Sequence, residues 1–239
     1  MKLKTSRLWI ALTIVFLTIT YAFYYTSHQE ITDAHALISK TIDASKDIKS
    51  YKFAISTNLS IHGKNIQMIS GRGYVDYRNK KLRITMTMMN NSMEMIVIDD
   101  TAYIRESNGP WQTQKLSEHS IWKSSYDPLL QQRSILLNAS NVTMRKEEND
   151  WILEIVPDKK VVIEQMKRTS VGLETIKKEK LKNFTIRYWI EKDSYHIKRI
   201  ENNVELEMNI KGLETPVRLN NLIEIYDYNE KVKIEAPVD

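Results

Sequence analysis

LRITMTMMNNSMEMIVID, residues 82–99, is the stretch whose period decides the fold. Apolar side chains recur at every second position on both sides of Asn90-Asn91, and a strand sends alternate side chains to opposite faces. The pattern predicts a β-hairpin with Asn90-Asn91 as a two-residue turn, because asparagine tolerates the positive φ such a turn requires. This register pairs Met88 with Met93, Met86 with Met95, Ile84 with Val97 and Leu82 with Asp99, and directly paired residues share a face. One face then carries Leu82, Ile84, Met86, Met88, Met93, Met95 and Val97, while the other carries Arg83, Thr85, Thr87 and Glu94. A hairpin apolar on one side only needs further strands and a covering layer.

Both flanks supply them. Tyr51 to Ile61 alternates with a period of two and turns at His62-Gly63-Lys64-Asn65; Ile66 to Tyr77 returns, with Gly71 and Gly73 marking a bulge or bend. Ala102–Glu106 is followed by the turn Ser107-Asn108-Gly109-Pro110, and Trp111 opens another strand. Trp151–Val156, the Phe184–Ile190 face, the Val204–Ile210 face and Val217–Tyr228 continue the pattern, and Val232–Pro237 closes the chain. Helical spacing appears over residues 28–49, over Pro128–Leu137 with Asp127 as N-cap, and over Lys159–Lys167. The expectation is an α+β domain of roughly ten antiparallel strands, without βαβ units, internal repeats or a linker, filling residues 28–239.

Residues 1–27 differ in kind. Lys2, Lys4 and Arg7 precede an uncharged run from Leu8 to Ser27, about the length that crosses a bilayer. The basic flank predicts a single-pass anchor in the cell membrane, with a cytoplasmic N-terminus and residues 28–239 outside the cytoplasm. Tyr21, Phe23, Tyr24 and Tyr25 would form an interfacial belt. A cleaved signal sequence is the alternative, although Thr20-Tyr21-Ala22 is a poor cleavage site. Three of the five net positive charges belong to this leader, leaving +2 for the rest, so nucleic acid is not an expected partner. Asn-x-Ser/Thr sequons begin at Asn58, Asn90, Asn138, Asn141 and Asn183, which makes these candidate glycosylation sites in an exported domain.

The absence of cysteine removes disulfides, thiolate metal sites and cysteine nucleophiles. No phosphate-binding loop, dinucleotide glycine pattern, HExxH or Gly-x-Ser-x-Gly occurs, and the five histidines are scattered, so no enzyme, metal site or cofactor is expected. The methionines are the compositional oddity: five fall in residues 86–95, with Met68 on the preceding strand. They suit an ordinary sheet core, since methionine fills irregular gaps, or an adaptable cavity for acyl chains. A Cu(I) site is opposed by sulfurs strung along a sheet face with no adjacent histidine.

A family resemblance bears on this choice. An exported helix leads into SYKFAISTNLSIHGKNIQMISGRGYVDYRNKKLRITM and then IDDTAYIRESNGPWQTQ; later come WILEIVPDKK, YWIEKDSYHIKRI and the ending YDYNEKVKIEAPVD. Their order over residues 30–237 resembles the LolA/LppX-like lipoprotein-carrier superfamily. The resemblance implies an antiparallel half-barrel closed by helices, and a non-covalent carrier or sensor whose partner is a lipid or lipidated protein held between sheet and helices. The chain departs from the superfamily's lipoproteins in lacking an acylated cysteine, so attachment would run through residues 8–27. No residue role transfers, and the candidate lining residues rest on the hairpin face alone. The competing expectation is an envelope sensor, or a module recognising an envelope protein, with the same fold and no transported ligand.

Overall fold

The computed structural model describes residues 31–89, 91–116, 127–158, 180–210 and 212–237. The expected anchor at residues 8–27 and the expected Lys159–Lys167 helix lie outside the described residues. Among the described residues, no helix is long and apolar enough to cross a membrane.

Eleven strands form one sheet: β1 (Ser50–Ile61), β2 (Lys64–Asp76), β3 (Lys81–Met88), β4 (Asn91–Ile98), β5 (Thr101–Glu106), β6 (Gln112–Lys115), β7 (Val142–Glu147), β8 (Asp150–Ile155), β9 (Leu181–Glu191), β10 (Ile197–Ile210) and β11 (Leu213–Tyr226). Their spatial order is β6-β5-β4-β3-β2-β1-β11-β10-β9-β8-β7, with every neighbour antiparallel. Two meanders therefore run outward from a central seam between the first and last strands. The sheet curls without closing, and its edge strands β6 and β7 are joined by the connection that carries a helix.

The hairpin register is a correction. Leu82 pairs with Val97, Ile84 with Met95, Met86 with Met93 and Met88 with Asn91, so Asn91 is a strand residue and the turn lies one position earlier than expected. Met89 takes the positive φ (51°), and Asn90 lies outside the described residues. The shift brings Val97 opposite Leu82 in place of Asp99, which moves into the next turn with its own positive φ of 52°. Because the displacement is two residues, every side chain keeps its face.

The glycines also differ from expectation. The irregularity in the β1–β2 pairing falls at Thr57/Asn58, where Met68 is the extra residue opposite them, and not at Gly71 or Gly73. Those two glycines allow close approach instead. A Cβ on Gly73 would lie 2.2 Å from the Phe53 ring, and one on Gly71 2.8 Å from Met86 Cγ.

Strand β7 has no counterpart in the sequence expectation. It is an exposed edge strand with few apolar residues, so its alternation is weak, and it gains its identity from pairing with β8. Residues 232–237 run beyond the last strand without strand structure.

Two helices among the described residues pack on one face. Helix α1 (Ala34–Lys46) starts at Asp33, whose Oδ2 accepts from Ala36 N at 2.9 Å, and it buries Leu37, Ile38, Thr41 and Ile42 at three-to-four spacing. Helix α2 (Pro128–Leu137) has Asp127 as its N-cap and proline in its first turn, as expected. Leu37, Ile38, Leu129 and Leu136 join one buried cluster with side chains from both meanders, among them Phe53, Val75, Val97, Leu153, Tyr188 and Ile200. Fully burying an aliphatic or aromatic side chain of this size contributes roughly 1.5–3 kcal/mol, so this layer holds helices and sheet together.

Candidate functional site

The register places one set of side chains from each paired strand on the helix-covered face. Phe53, Ile55, Thr57, Leu59 and Ile61 of β1 face the same side as Ile225, Ile223, Asn221, Leu219 and Val217 of β11. The hairpin residues singled out above lie on this face, through Gly73 opposite Ile84 and Gly71 opposite Met86. Their burial is graded along the hairpin. Leu82, Ile84, Met95 and Val97 are buried in the core cluster; Met86 packs against its margin; Met93 is half-buried; Met88 is 41% exposed.

The gradient follows the core cluster that α1 and α2 join, which takes in the hairpin base and leaves out Met88. The hairpin base lies with the strand ends nearest α1 and α2, and the tip lies at the opposite end, with the β1–β2 and β10–β11 turns. Large apolar side chains stand exposed there, including Ile66, Met88, Met89, Met208 and Leu213. An apolar face continuous with the core thus opens at the β3–β4 tip, whereas Val217, Leu206 and Leu181 stay buried on β9–β11 at that end of the sheet.

A polar strip crosses the same face. Thr57 Oγ1 donates to Asn221 Oδ1 at 3.1 Å, and Asn202 sits across from Asn221 on β10. The Oδ1 of Asn202 is buried and has no hydrogen-bond partner among the described residues. On one side of the strip lies the main core, and on the other a smaller cluster of Leu181, Val204 and Leu206. An orphaned acceptor in such a place is costly unless something donates to it.

Helix α2 is pinned at two points. Asp127 Oδ1 accepts from Tyr51 OH at 2.5 Å, Leu129 N at 3.0 Å and Leu130 N at 3.1 Å, and its Oδ2 accepts from Tyr77 OH at 2.5 Å. Burial pushes the Asp127 carboxyl above the ordinary aspartate range, against the pull of these bonds. Burial, and then the neighbouring Asp127 charge, push Tyr51 and Tyr77 well above the usual phenol range. Farther along, Gln132 Oε1 accepts from Tyr188 OH at 2.7 Å. The two latches tie α2 to both meanders. The N-cap role of Asp127 was readable in the sequence; its tyrosine partners and the Asn202–Asn221 strip were not, because they join residues far apart in the chain.

The candidate glycosylation sites are dispersed. Asn138 and Asn141 are exposed just after α2, Asn183 is exposed near the start of β9, and Asn58 is half-buried within β1. No group of three His, Cys, Asp or Glu among the described residues could hold a metal ion.

Residues 33–239 match a family described as a family of unknown function, DUF6612. The chain belongs to DUF6612. No curated protein matches it. Among solved structures, the Mycobacterium tuberculosis lipoprotein LppX aligns with this DUF6612 chain at 16% identity and a TM-score of 0.53, covering 84% of this chain and 98% of LppX. LprF from Mycobacterium bovis aligns at 13% identity and a TM-score of 0.54, covering 86% and 97% respectively. A LolA superfamily protein from Nitrosomonas europaea aligns more loosely, at 8% identity and a TM-score of 0.31, covering 85% and 96%. The fold of this DUF6612 chain is LolA/LppX-like, in agreement with the resemblance read from the sequence.

Proposed function

We propose that this protein is a membrane-anchored, extracytoplasmic binding or carrier protein for a hydrophobic ligand, a lipid or the acyl chains of a lipidated protein. The observation that carries this is the apolar hairpin face that stays continuous with the core while its burial falls, from buried Met95 to half-buried Met93 and exposed Met88. A soluble domain gains nothing from leaving such a surface to water, whereas an acyl chain laid along it removes that surface from solvent. Methionine suits the task because its unbranched thioether repacks around variable shapes. Leu82, Ile84, Met95 and Val97 form the floor where the core begins, and Met86, Met88 and Met93 contact the ligand. Asn202 Oδ1 accepts from a hydroxyl or amide where the apolar chain meets its polar part. The lipoprotein neighbour LppX supports the reading through a shared fold.

Residues 8–27 serve as the anchor in this account, holding the domain outside the cytoplasm, and the role is binding and not catalysis. Of the sequons, Asn138, Asn141 and Asn183 are the exposed ones and are the proposed glycan sites. Native mass spectrometry and lipid extraction of the purified full chain test the proposal. Co-purifying lipid, together with saturable binding of the neutral fluorophore N-phenyl-1-naphthylamine, is expected. Finding neither would leave a sensor or protein-recognition module as the better account.

A further inference from the structure

The opposite face of the sheet carries a different feature. Residues 231–233 pass over β1, β2 and β3, and beneath them lies a cleft of about 380 Å³. Its lining consists of Lys52, Arg72, Tyr74, Arg83, Thr85, Lys231, Val232 and Lys233, which is five cations, two hydroxyls and no carboxylate. That volume lies at the small end of the range for small-molecule sites.

The strand pairing builds this floor. Lys52, Arg72 and Arg83 share the face opposite Phe53 and Ile84, because each occupies the alternate position of its strand. Arg72 is flanked by Ala54 on β1 and Thr85 on β3, whose short side chains leave room above the sheet. The overlying segment is fastened on both sides. Asn229 N donates to Ser50 O at 2.8 Å and Ser50 Oγ donates to Glu230 O at 2.5 Å; beyond the cleft, Ile234 is buried and its carbonyl accepts from Lys81 Nζ at 3.0 Å. Lys231 and Lys233 are thus held at the cleft by its construction.

The charges are only partly offset. Lys52 pairs with Asp227 at 2.6 Å and Glu230 at 3.5 Å, Lys233 with Glu235 at 2.9 Å, and Arg83 shares Glu94 with Arg105. Arg72 and Lys231 have no ion pair among the described residues. Clustered like charges around a partly enclosed space raise the potential inside it, and an anion entering that space relieves their repulsion. Guanidinium groups present paired N–H donors that match phosphate oxygens, and lysine contributes a point charge. We propose that this cleft binds a phosphoryl group, carried either by a lipid headgroup or by a small soluble phosphate ester. It is separate from the apolar face and does not depend on the hydrophobic-ligand reading.

The test uses the full chain in uncharged detergent micelles. Isothermal titration with glycerol 3-phosphate examines the soluble source, and micelles doped with phosphatidylglycerol, compared with undoped micelles, examine the headgroup source. Saturable binding in at least one arm is expected, with Arg72→Gln and Lys231→Gln each weakening it by about tenfold or more. Both side chains are exposed, so these variants should fold, and N-phenyl-1-naphthylamine binding should be unchanged. Binding in the first arm assigns a soluble ester, and binding in the second alone assigns a lipid headgroup. The proposal is overturned if neither arm exceeds sodium chloride at matched ionic strength, or if the variants bind as well as the wild type.

Discussion

The base and the tip of one hairpin, β3–β4, carry the same kind of residue on the same face and have opposite fates. At the base, Ile84 and Met95 are buried in the core cluster; at the tip, Met88 is open to solvent. Composition does not separate the two ends, since methionine occurs at both. What separates them is membership of the buried cluster that α1 and α2 join: it takes in Ile84 and Met95 and leaves out Met88. A single apolar stripe thereby serves as core at one end and as accessible surface at the other.

Substitutions along this stripe can break the comparison. Val97→Asp has the largest expected effect, because it places a charge in a fully buried position; loss of about 4 kcal/mol or more in urea unfolding is the expected outcome. Asp127→Ala removes the carboxylate that α2 and two tyrosines share, and should cost about 2–3 kcal/mol by the same measurement. Gly73→Ala pushes a methyl group into the Phe53 ring and should cost about 1–3 kcal/mol, with a shifted tyrosine and phenylalanine spectrum. Met88→Asp is the contrast. Its effect on unfolding should stay within about 0.5 kcal/mol, while binding of a neutral hydrophobic fluorophore falls. Equal destabilisation by Val97→Asp and Met88→Asp would show that both ends are core.

Acid titration sharpens the contrast between the sheet's two faces. Burial raises the Asp127 pKa, so ionising it weakens the fold: its contribution is greatest below the ordinary aspartate range and declines as pH rises through the raised value. Burial also opposes ionisation of Glu94 on the other face, but hydrogen bonds from Arg105 and Arg83 outweigh it and leave its pKa lowered. Its contribution is present above the ordinary glutamate range and is lost as pH falls through that lowered value. Thermal melts across the acidic range should show Asp127→Asn removing the first dependence and Glu94→Gln the second. The Glu94 effect should stay under about 1 kcal/mol, since its arginine partners are substantially exposed.

Much of the architecture was legible from local chemistry. Period-two alternation marks β1 to β5 and β8 to β11, and the Asp127-Pro128 pair marks the start of α2 correctly. Strand β7 escaped because an edge strand that buries little leaves little apolar pattern. The face shared by Leu82, Ile84, Met86, Met88, Met93, Met95 and Val97 was legible even though the expected turn was misplaced. A slip of two residues preserves the face, and only an odd slip would have inverted it.

The amino-acid sequence by itself determined the antiparallel class, the apolar face of the hairpin and the contrast between the first 27 residues and the remainder. These follow from periodicity and local charge, which act between near neighbours. The tertiary structure alone decided that β1 and β11 meet at the centre of the sheet. It also decided that Tyr51, Tyr77 and Asp127 share one buried site and that Arg72 and Lys231 face one cleft. Such contacts join residues 50 to 160 positions apart or more, and no local pattern encodes them. They arise when two meanders are packed under the same pair of helices, because each apolar face can leave water only against the other elements of the fold.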